Sequence, residues 1–99
     1  MSRQYCVYMM TNQGNKVIYT GVTNSLARRA HEHKTGVNPN SFCARYRLHK
    51  LVYVEAFDFI TDAIAREKQI KRGSRAKKEQ LINSYNPEWN DLSNRIMEW

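Results

Sequence analysis

Apolar side chains are dense in three short runs and periodic in three longer stretches. The first run, Tyr5 to Thr11 (YCVYMMT), is aromatic and apolar on both alternating sets of positions. That predicts a strand covered on both faces and therefore central in its sheet. Thr11 to Lys16 (TNQGNK) is a polar cluster with one glycine, the composition of a turn. Val17 to Val22 (VIYTGV) predicts a second strand, and the two runs together a hairpin with a loop of about four residues. Setting Thr11 opposite Lys16 brings Tyr8 opposite Tyr19, so that two phenols stand side by side on one sheet face. Leu51 to Phe57 (LVYVEAF) predicts a third strand from its valines and aromatics.

The remaining pattern is helical. Thr23, Asn24 and Ser25 are candidate N-caps for a helix from Leu26 to Lys34, with Gly36 as its stop. Leu26, Arg29, Ala30 and His33 recur at the spacing of a core-facing stripe, whereas Arg28 and Glu32 sit one turn apart on another side as an exposed ion pair. The stripe thus selects Arg29 over Arg28, and His33 over His31. Val37 to Ser41 reads as a loop and Phe42 to His49 (FCARYRLH) as a short irregular helix. Thr61 is the predicted N-cap of a helix that Gly73 ends, with Ala63, Ile64, Glu67 and Ile70 as its stripe. Ser74 caps a last helix to Tyr85, with Lys78, Leu81, Ile82 and Tyr85 on one face and Asn86-Pro87 as its stop. The order is β-β-α-(α)-β-α-α. It predicts an α+β fold, a small three-stranded, mainly antiparallel sheet flanked by helices that cover its faces.

Composition narrows the classes. A chain of 99 residues suits one domain that buries about 60–65% of the surface its unfolded form exposes. Residues 1–99 are read as that single unit, with a tail from about residue 86 that packs back through Trp89 and Leu92 before fraying. There are 16 Lys+Arg against 9 Asp+Glu, a formal charge of +7, which favours a polyanionic partner such as nucleic acid. Cys6 and Cys43 show no metal or redox spacing, which points to a reducing, cytoplasmic setting. The N-terminal MSRQYCVYMMT has no long apolar segment, and no run approaches the ~20 apolar residues of a membrane span. No membrane role is expected.

Arg29, His33 and Glu67 put polar groups on stripes that ordinarily carry apolar side chains, where an unpaired charge costs several kcal/mol. The plain structural explanation is a salt bridge, Glu67 with Arg29 or with Lys71, its neighbour one turn on. With two facing tyrosines added, the set reads instead as a cleft whose residue types suit phosphodiester hydrolysis. Arg is the fork-shaped donor for a phosphate whose charge rises in the transition state. A single carboxylate, Glu67, suits Mg²⁺, which keeps several waters and takes few protein ligands. A phenol or imidazole beside the scissile phosphate can take a proton from water, and a phenol with a pKa near 10 needs a neighbouring cation to do so. His31 and His33, two apart on a helix, point to different sides and do not chelate together. Lys68, Lys71, Arg72, Arg75, Lys77 and Lys78 read either as a solvated basic face or as a patch tracking phosphates beside Glu67.

Cys6-Val7-Tyr8 and Tyr19-Thr20-Gly21, followed by TNSLARRAHEH, AREKQIK and NPEWNDL, resemble the motifs of GIY-YIG nucleases, most closely of their small stand-alone bacterial members. The resemblance runs from Tyr5 to Leu92. It implies that Tyr8 and Tyr19 are the motif tyrosines, one of them a general base, and that Arg29 is the phosphate-stabilising arginine. It implies further that His33 is the histidine some members place in the site, Glu67 the metal-binding carboxylate, Asn90 the late asparagine and Gly21 the glycine closing the second strand. Cys6, Val7 and Thr20 depart from the usual Gly, Ile and Ile, and no added DNA-recognition domain is expected.

The leading expectation is an endonuclease that hydrolyses DNA with one divalent ion, Mg²⁺ or Mn²⁺. It would be weakly sequence-specific or structure-selective on branched or single-stranded DNA, in repair or recombination. The alternative is a non-catalytic nucleic-acid-binding module with a degenerate nuclease site. A third reading, a structural partner protein with incidental charge, requires Glu67 in a closed salt bridge.

Overall fold

Strands β1 (Tyr5–Thr11), β2 (Ile18–Thr23) and β3 (Lys50–Phe57) pair antiparallel in the order β2-β1-β3. β1 is central because both of its faces are apolar, and every residue after Tyr5 is buried. Among the described residues three helices follow the pattern, α1 (Leu26–Thr35), α2 (Ile60–Arg72) and α3 (Arg75–Tyr85). This computed structural model describes residues 5–35 and 45–93, apart from the side chains of Ala30, His33, Lys34 and Thr35. The expected stop at Gly36, the loop after it and residues 42–44 of the expected irregular helix, Cys43 among them, lie outside the described residues; in the rest of that stretch only Arg45 is helical, and Arg47 turns the chain at φ 58°. No helix among the described residues is long and apolar enough to cross a membrane.

The hairpin register differs from the expected one. Thr11 pairs with Ile18 rather than Lys16, so Tyr8 opposes Gly21 and Tyr19 opposes Met10. The cause is Asn12. Its Oδ1 accepts from the backbone N–H groups of Lys16 (2.8 Å) and Val17 (3.1 Å), while its carbonyl accepts from Asn15 N–H at 3.0 Å. Asn15 adopts φ 58°, a left-handed conformation that Asn tolerates better than most residues. These bonds close a longer loop and move the pairing two residues along β2. A two-residue slip keeps every side chain on its face, so the phenols still share one, as diagonal neighbours rather than partners.

Alternation along β1 sorts the core into two layers. Cys6, Tyr8 and Met10 face Leu26 of α1 together with Leu48, Leu51, Val54 and Leu92. Val7 and Met9 face Ala63 and Ile70 of α2 and Ile82 of α3. The β1–β3 register shifts between Met9 and Met10, where Val52 is the extra residue. This bulge turns both Val52 and Tyr53 toward the second layer. Burial pushes the Cys6 thiol pKa up.

Helix ends carry a second correction. α2 is capped by the extended backbone of Phe59 with no side-chain bond, and its first turn closes from Ala63 N–H to Phe59 O at 3.2 Å. Thr61 therefore lies inside the first turn instead of capping it. Of the expected stripe, Ala63 and Ile70 are buried whereas Ile64 is exposed, so the apolar face is narrower than the spacing indicated. Ser74 does cap α3, accepting from Lys77 N–H at 3.2 Å. Leu92 is buried, and its N–H donates to Leu51 O at 2.7 Å.

Thr20, opposite Met9, is buried, and its Oγ1 has no hydrogen-bond partner among the described residues. A buried hydroxyl without a partner costs about 1–3 kcal/mol. Thr20→Val is thus expected to raise unfolding free energy in urea by about 1 kcal/mol. A loss of stability would mean that the hydroxyl is satisfied.

Candidate active site

β2 delivers Tyr19 to one sheet face and then turns into α1 through Thr23–Ser25. Thr23 Oγ1 accepts from Ser25 N–H at 3.1 Å, and Ser25 O accepts from Arg29 N–H at 3.0 Å. Across this corner the Tyr8 and Tyr19 rings lie 6.2 Å apart between centroids, tilted by 47°, within the range of favourable aromatic pairs. Tyr8 is buried and Tyr19 half-buried, so Tyr19 is the phenol open to a molecule arriving from solvent. Gly21 lies directly under them. A Cβ there would come 2.6 Å from Tyr8 Oη, 2.7 Å from Tyr8 Cζ and 3.0 Å from Tyr19 Cε2. The glycine is what lets both rings lie across the strand.

Arg29 is less buried than its stripe indicated. Its side chain is 39% exposed and its Nη1 lies 3.1 Å from Glu32 Oε1, closer than Arg28 Nε, which is 4.0 Å from Glu32 Oε2. Glu32 is within reach of both arginines, at i+3 from one and i+4 from the other, and its carboxylate holds the Arg29 guanidinium at the helix surface. His31 is exposed, as expected. The side chain of His33 lies outside the described residues.

Glu67 is nearly buried, with 14% of its side chain exposed, and pairs with Lys71 Nζ at 3.0 Å. The plain salt-bridge expectation is met through Lys71 rather than Arg29. Lys71 itself is half-exposed, so its ammonium can leave for water at little cost. Glu67 belongs to α2, whose neighbours Ala63 and Ile70 pack on the layer of Val7 and Met9, while the phenols face the layer of Leu26. α2 also packs against β2, the strand that carries Tyr19. Among the described residues no three His, Cys, Asp or Glu side chains cluster as metal ligands. A lone carboxylate does not suit zinc, but it does fit a hard cation that keeps most of its waters.

Asn90 lines a cleft of about 330 Å³ with His49, Lys50, Glu88, Trp89 and Asp91. Its backbone is fixed by the buried Asn86, whose Nδ2 donates to Val52 O (3.1 Å) and Asn90 O (2.8 Å) and whose Oδ1 accepts from Asn90 N–H (3.2 Å). The basic run divides. Arg72, Lys77 and Lys78 line a cleft between α2 and α3, Lys68 is exposed on α2, and Lys71 is turned onto Glu67. Arg75 donates to Lys16 O and Asn15 O, both at 2.6 Å, and pairs with Glu79 at 2.8 Å. Its guanidinium clamps the hairpin loop to α3 instead of standing ready for phosphate.

One polar cluster was not anticipated. Tyr53 Oη donates to Glu55 Oε2 at 2.9 Å, and Arg66 Nε donates to Glu55 Oε1 at 2.8 Å. Burial, reinforced by the bond to Glu55, pushes the Tyr53 phenol pKa up. The signal was present in the two-residue spacing of Tyr53 and Glu55, which puts both on one strand face, but the apolar density of the strand masked it.

The family model described as the GIY-YIG catalytic domain matches residues 4–86, a span that includes both phenols, Gly21, Arg29 and Glu67. The chain belongs to the GIY-YIG family. It is 40% identical over 88 residues to a UPF0213 protein of Syntrophus aciditrophicus, covering 89% of this chain and 98% of that one. It is 37% identical over 82 residues to a UPF0213 protein of Natronomonas pharaonis, covering 83% and 94%. The solution NMR structure of a UPF0213 protein from Bacillus halodurans superposes with a TM-score of 0.56 at 28% identity, covering 91% of this chain and 94% of that one. The α+β fold and the GIY-YIG resemblance are thereby established. The GIY-YIG domain is a nuclease domain that typically works with a divalent metal on a nucleic acid.

Proposed function

We propose that this GIY-YIG protein is an endonuclease that hydrolyses DNA phosphodiester bonds with one divalent cation, Mg²⁺ or Mn²⁺. The substrates would be branched or single-stranded DNA of weak sequence preference, such as arise in repair and recombination. The observation that carries the reading is the tilted pair of phenols lying over Gly21 at the corner that leads into Arg29. Glu67 would hold the cation, which when bound supplies charge neutralisation at the phosphate. Tyr19, the more open phenol, would be the base that takes a proton from the attacking water. Tyr8 packs beneath and fixes the orientation of its ring. Arg29 offers its guanidinium to the non-bridging oxygens as the water oxygen bonds to phosphorus and the ester P–O bond breaks. The leaving oxygen takes its proton from solvent.

The basic residues Arg72, Lys77 and Lys78 that line the cleft between α2 and α3 favour a second reading, a nucleic-acid-binding module without turnover. Incubation with branched, nicked and single-stranded DNA separates the two. The nuclease is expected to cut at least one of these in Mg²⁺ or Mn²⁺, to stop on chelation with EDTA, and to lose cutting in Glu67→Gln. Salt-sensitive binding with no cutting of any substrate would establish the second reading instead.

A further inference from the structure

The cleft between α2 and α3 is about 460 Å³ and is lined by Arg66, Arg72, Lys77 and Lys78, by Gln69 and Gln80, and by Ile70 and Leu81 around Gly73. No lining residue is acidic. The volume is that of a site for a small molecule or a nucleotide unit, roughly 300–1,000 Å³. Arg66 is already committed to Glu55 through Nε and to Gln69 Oε1 through Nη1, at 2.8 and 2.7 Å. That bond orients the Gln69 amide so that its NH₂ is available to donate. Arg72 and Lys77 are exposed and Lys78 half-buried, so their charges stand at the mouth. The helices that form the cleft cover the Val7 and Met9 face of the sheet, whereas the phenols lie on the other.

We propose that this cleft binds one segment of a single nucleic-acid strand, apart from the phenol corner. The inference rests on the nucleic-acid reading of the family site and adds a second point of attachment to it. Phosphates of a duplex need only a basic surface. Here the cations surround two amides and an apolar floor; amides also reach base edges in a duplex groove, but an apolar surface meets a base face only when the base is unstacked. Arg72, Lys77 and Lys78 take the backbone phosphates, Gln69 and Gln80 the base edges, and Leu81 a base face. A substrate engaged at both sites would place a single-stranded arm on the back of the sheet while the scissile bond lies at the front.

The test is fluorescence anisotropy in EDTA, where no cutting occurs, with a labelled single strand and a duplex hairpin at several salt concentrations. Two variants each remove three positive charges, Arg72→Gln/Lys77→Gln/Lys78→Gln in the cleft and Lys16→Gln/Arg28→Gln/Arg45→Gln outside it. The cleft variant is expected to bind the single strand at least about 10-fold more weakly, with a salt slope smaller by about 0.7 for each phosphate no longer neutralised. The outside variant should stay within about 2-fold of the unmodified protein, because diffuse surface charge contributes little per residue. Equal weakening in the two variants would overturn the cleft, and so would equal weakening for duplex and single strand. If the unmodified protein bound neither probe, the nucleic-acid function would fail with it. Normal cutting and single-strand binding by the cleft variant would sink the cleft alone.

Discussion

Arg29→Ala is expected to slow strand cleavage about 10²–10³-fold, the effect typical of removing one preorganised donor to a developing charge, while leaving thermal stability almost unchanged. The second half follows from the structure. The Arg29 side chain is 39% exposed and its partner Glu32 is 35% exposed, and a surface pair of this kind contributes about 0–1 kcal/mol. Glu32 also keeps Arg28 at 4.0 Å, so the carboxylate retains a cation beside it. Single-turnover rates at saturating protein, with melting curves on the same samples, read both effects. A nuclease site predicts a large fall in rate with a small shift in melting temperature. Arg29→Lys should recover little of the rate, because an ammonium cannot reproduce the two-pronged grip of a guanidinium. An unchanged rate in Arg29→Ala would remove the arginine from the site.

Gly21→Ala is the other large effect, and here stability and activity should fall together. The added methyl would sit 2.6 Å from Tyr8 Oη and 3.0 Å from Tyr19 Cε2, inside any real van der Waals distance. Tyr8 is only 3% exposed and packs in the layer of Leu26, Leu48 and Val54, so its ring has no empty space to enter. Overpacking of this sort costs about 1–3 kcal/mol. Because the methyl also pushes both phenols, the rate should drop by more than the reduced amount of folded protein explains. Urea denaturation, with cleavage rates corrected to folded protein, separates the two contributions. Full activity at native stability would mean that the rings tolerate displacement and that their position over Gly21 does not matter.

The sheet and its helices were legible because β1 is apolar on both faces and because Gly73, Ser74 and Asn86 punctuate the helices at the positions their chemistry requires. Tyr8 and Tyr19 were legible as a same-face pair, although they do not stand directly opposite each other as the spacing suggested. The offset depends on Asn12 accepting two backbone N–H bonds, a side-chain interaction that lengthens the loop without altering the hydrophobic pattern. Arg29 shows the limit of helical spacing. Periodicity states which side of a helix a residue starts from, and a long guanidinium with a carboxylate one turn away can end elsewhere. Arg75 shows the same for charge. Its place in a basic run says nothing of the hairpin carbonyls it clamps, which are about sixty residues distant in the chain. The spacing of Tyr53 and Glu55 puts them on one face, but that this face meets α2 and Arg66 depends on the bulge at Val52, which the apolar pattern does not announce.

Glu67 and the phenol corner are reached from different layers of the molecule, and we propose that they serve one metal-dependent site. Titration of Mn²⁺ into isotope-labelled protein, followed by NMR line broadening, tests this most directly. Substoichiometric Mn²⁺ is expected to broaden signals around Glu67 and those of Tyr19, Gly21 and Tyr8 before all others, and Glu67→Gln to abolish the selectivity. Broadening confined to other carboxylates such as Asp62 or Glu79, or unchanged by Glu67→Gln, would contradict a shared site.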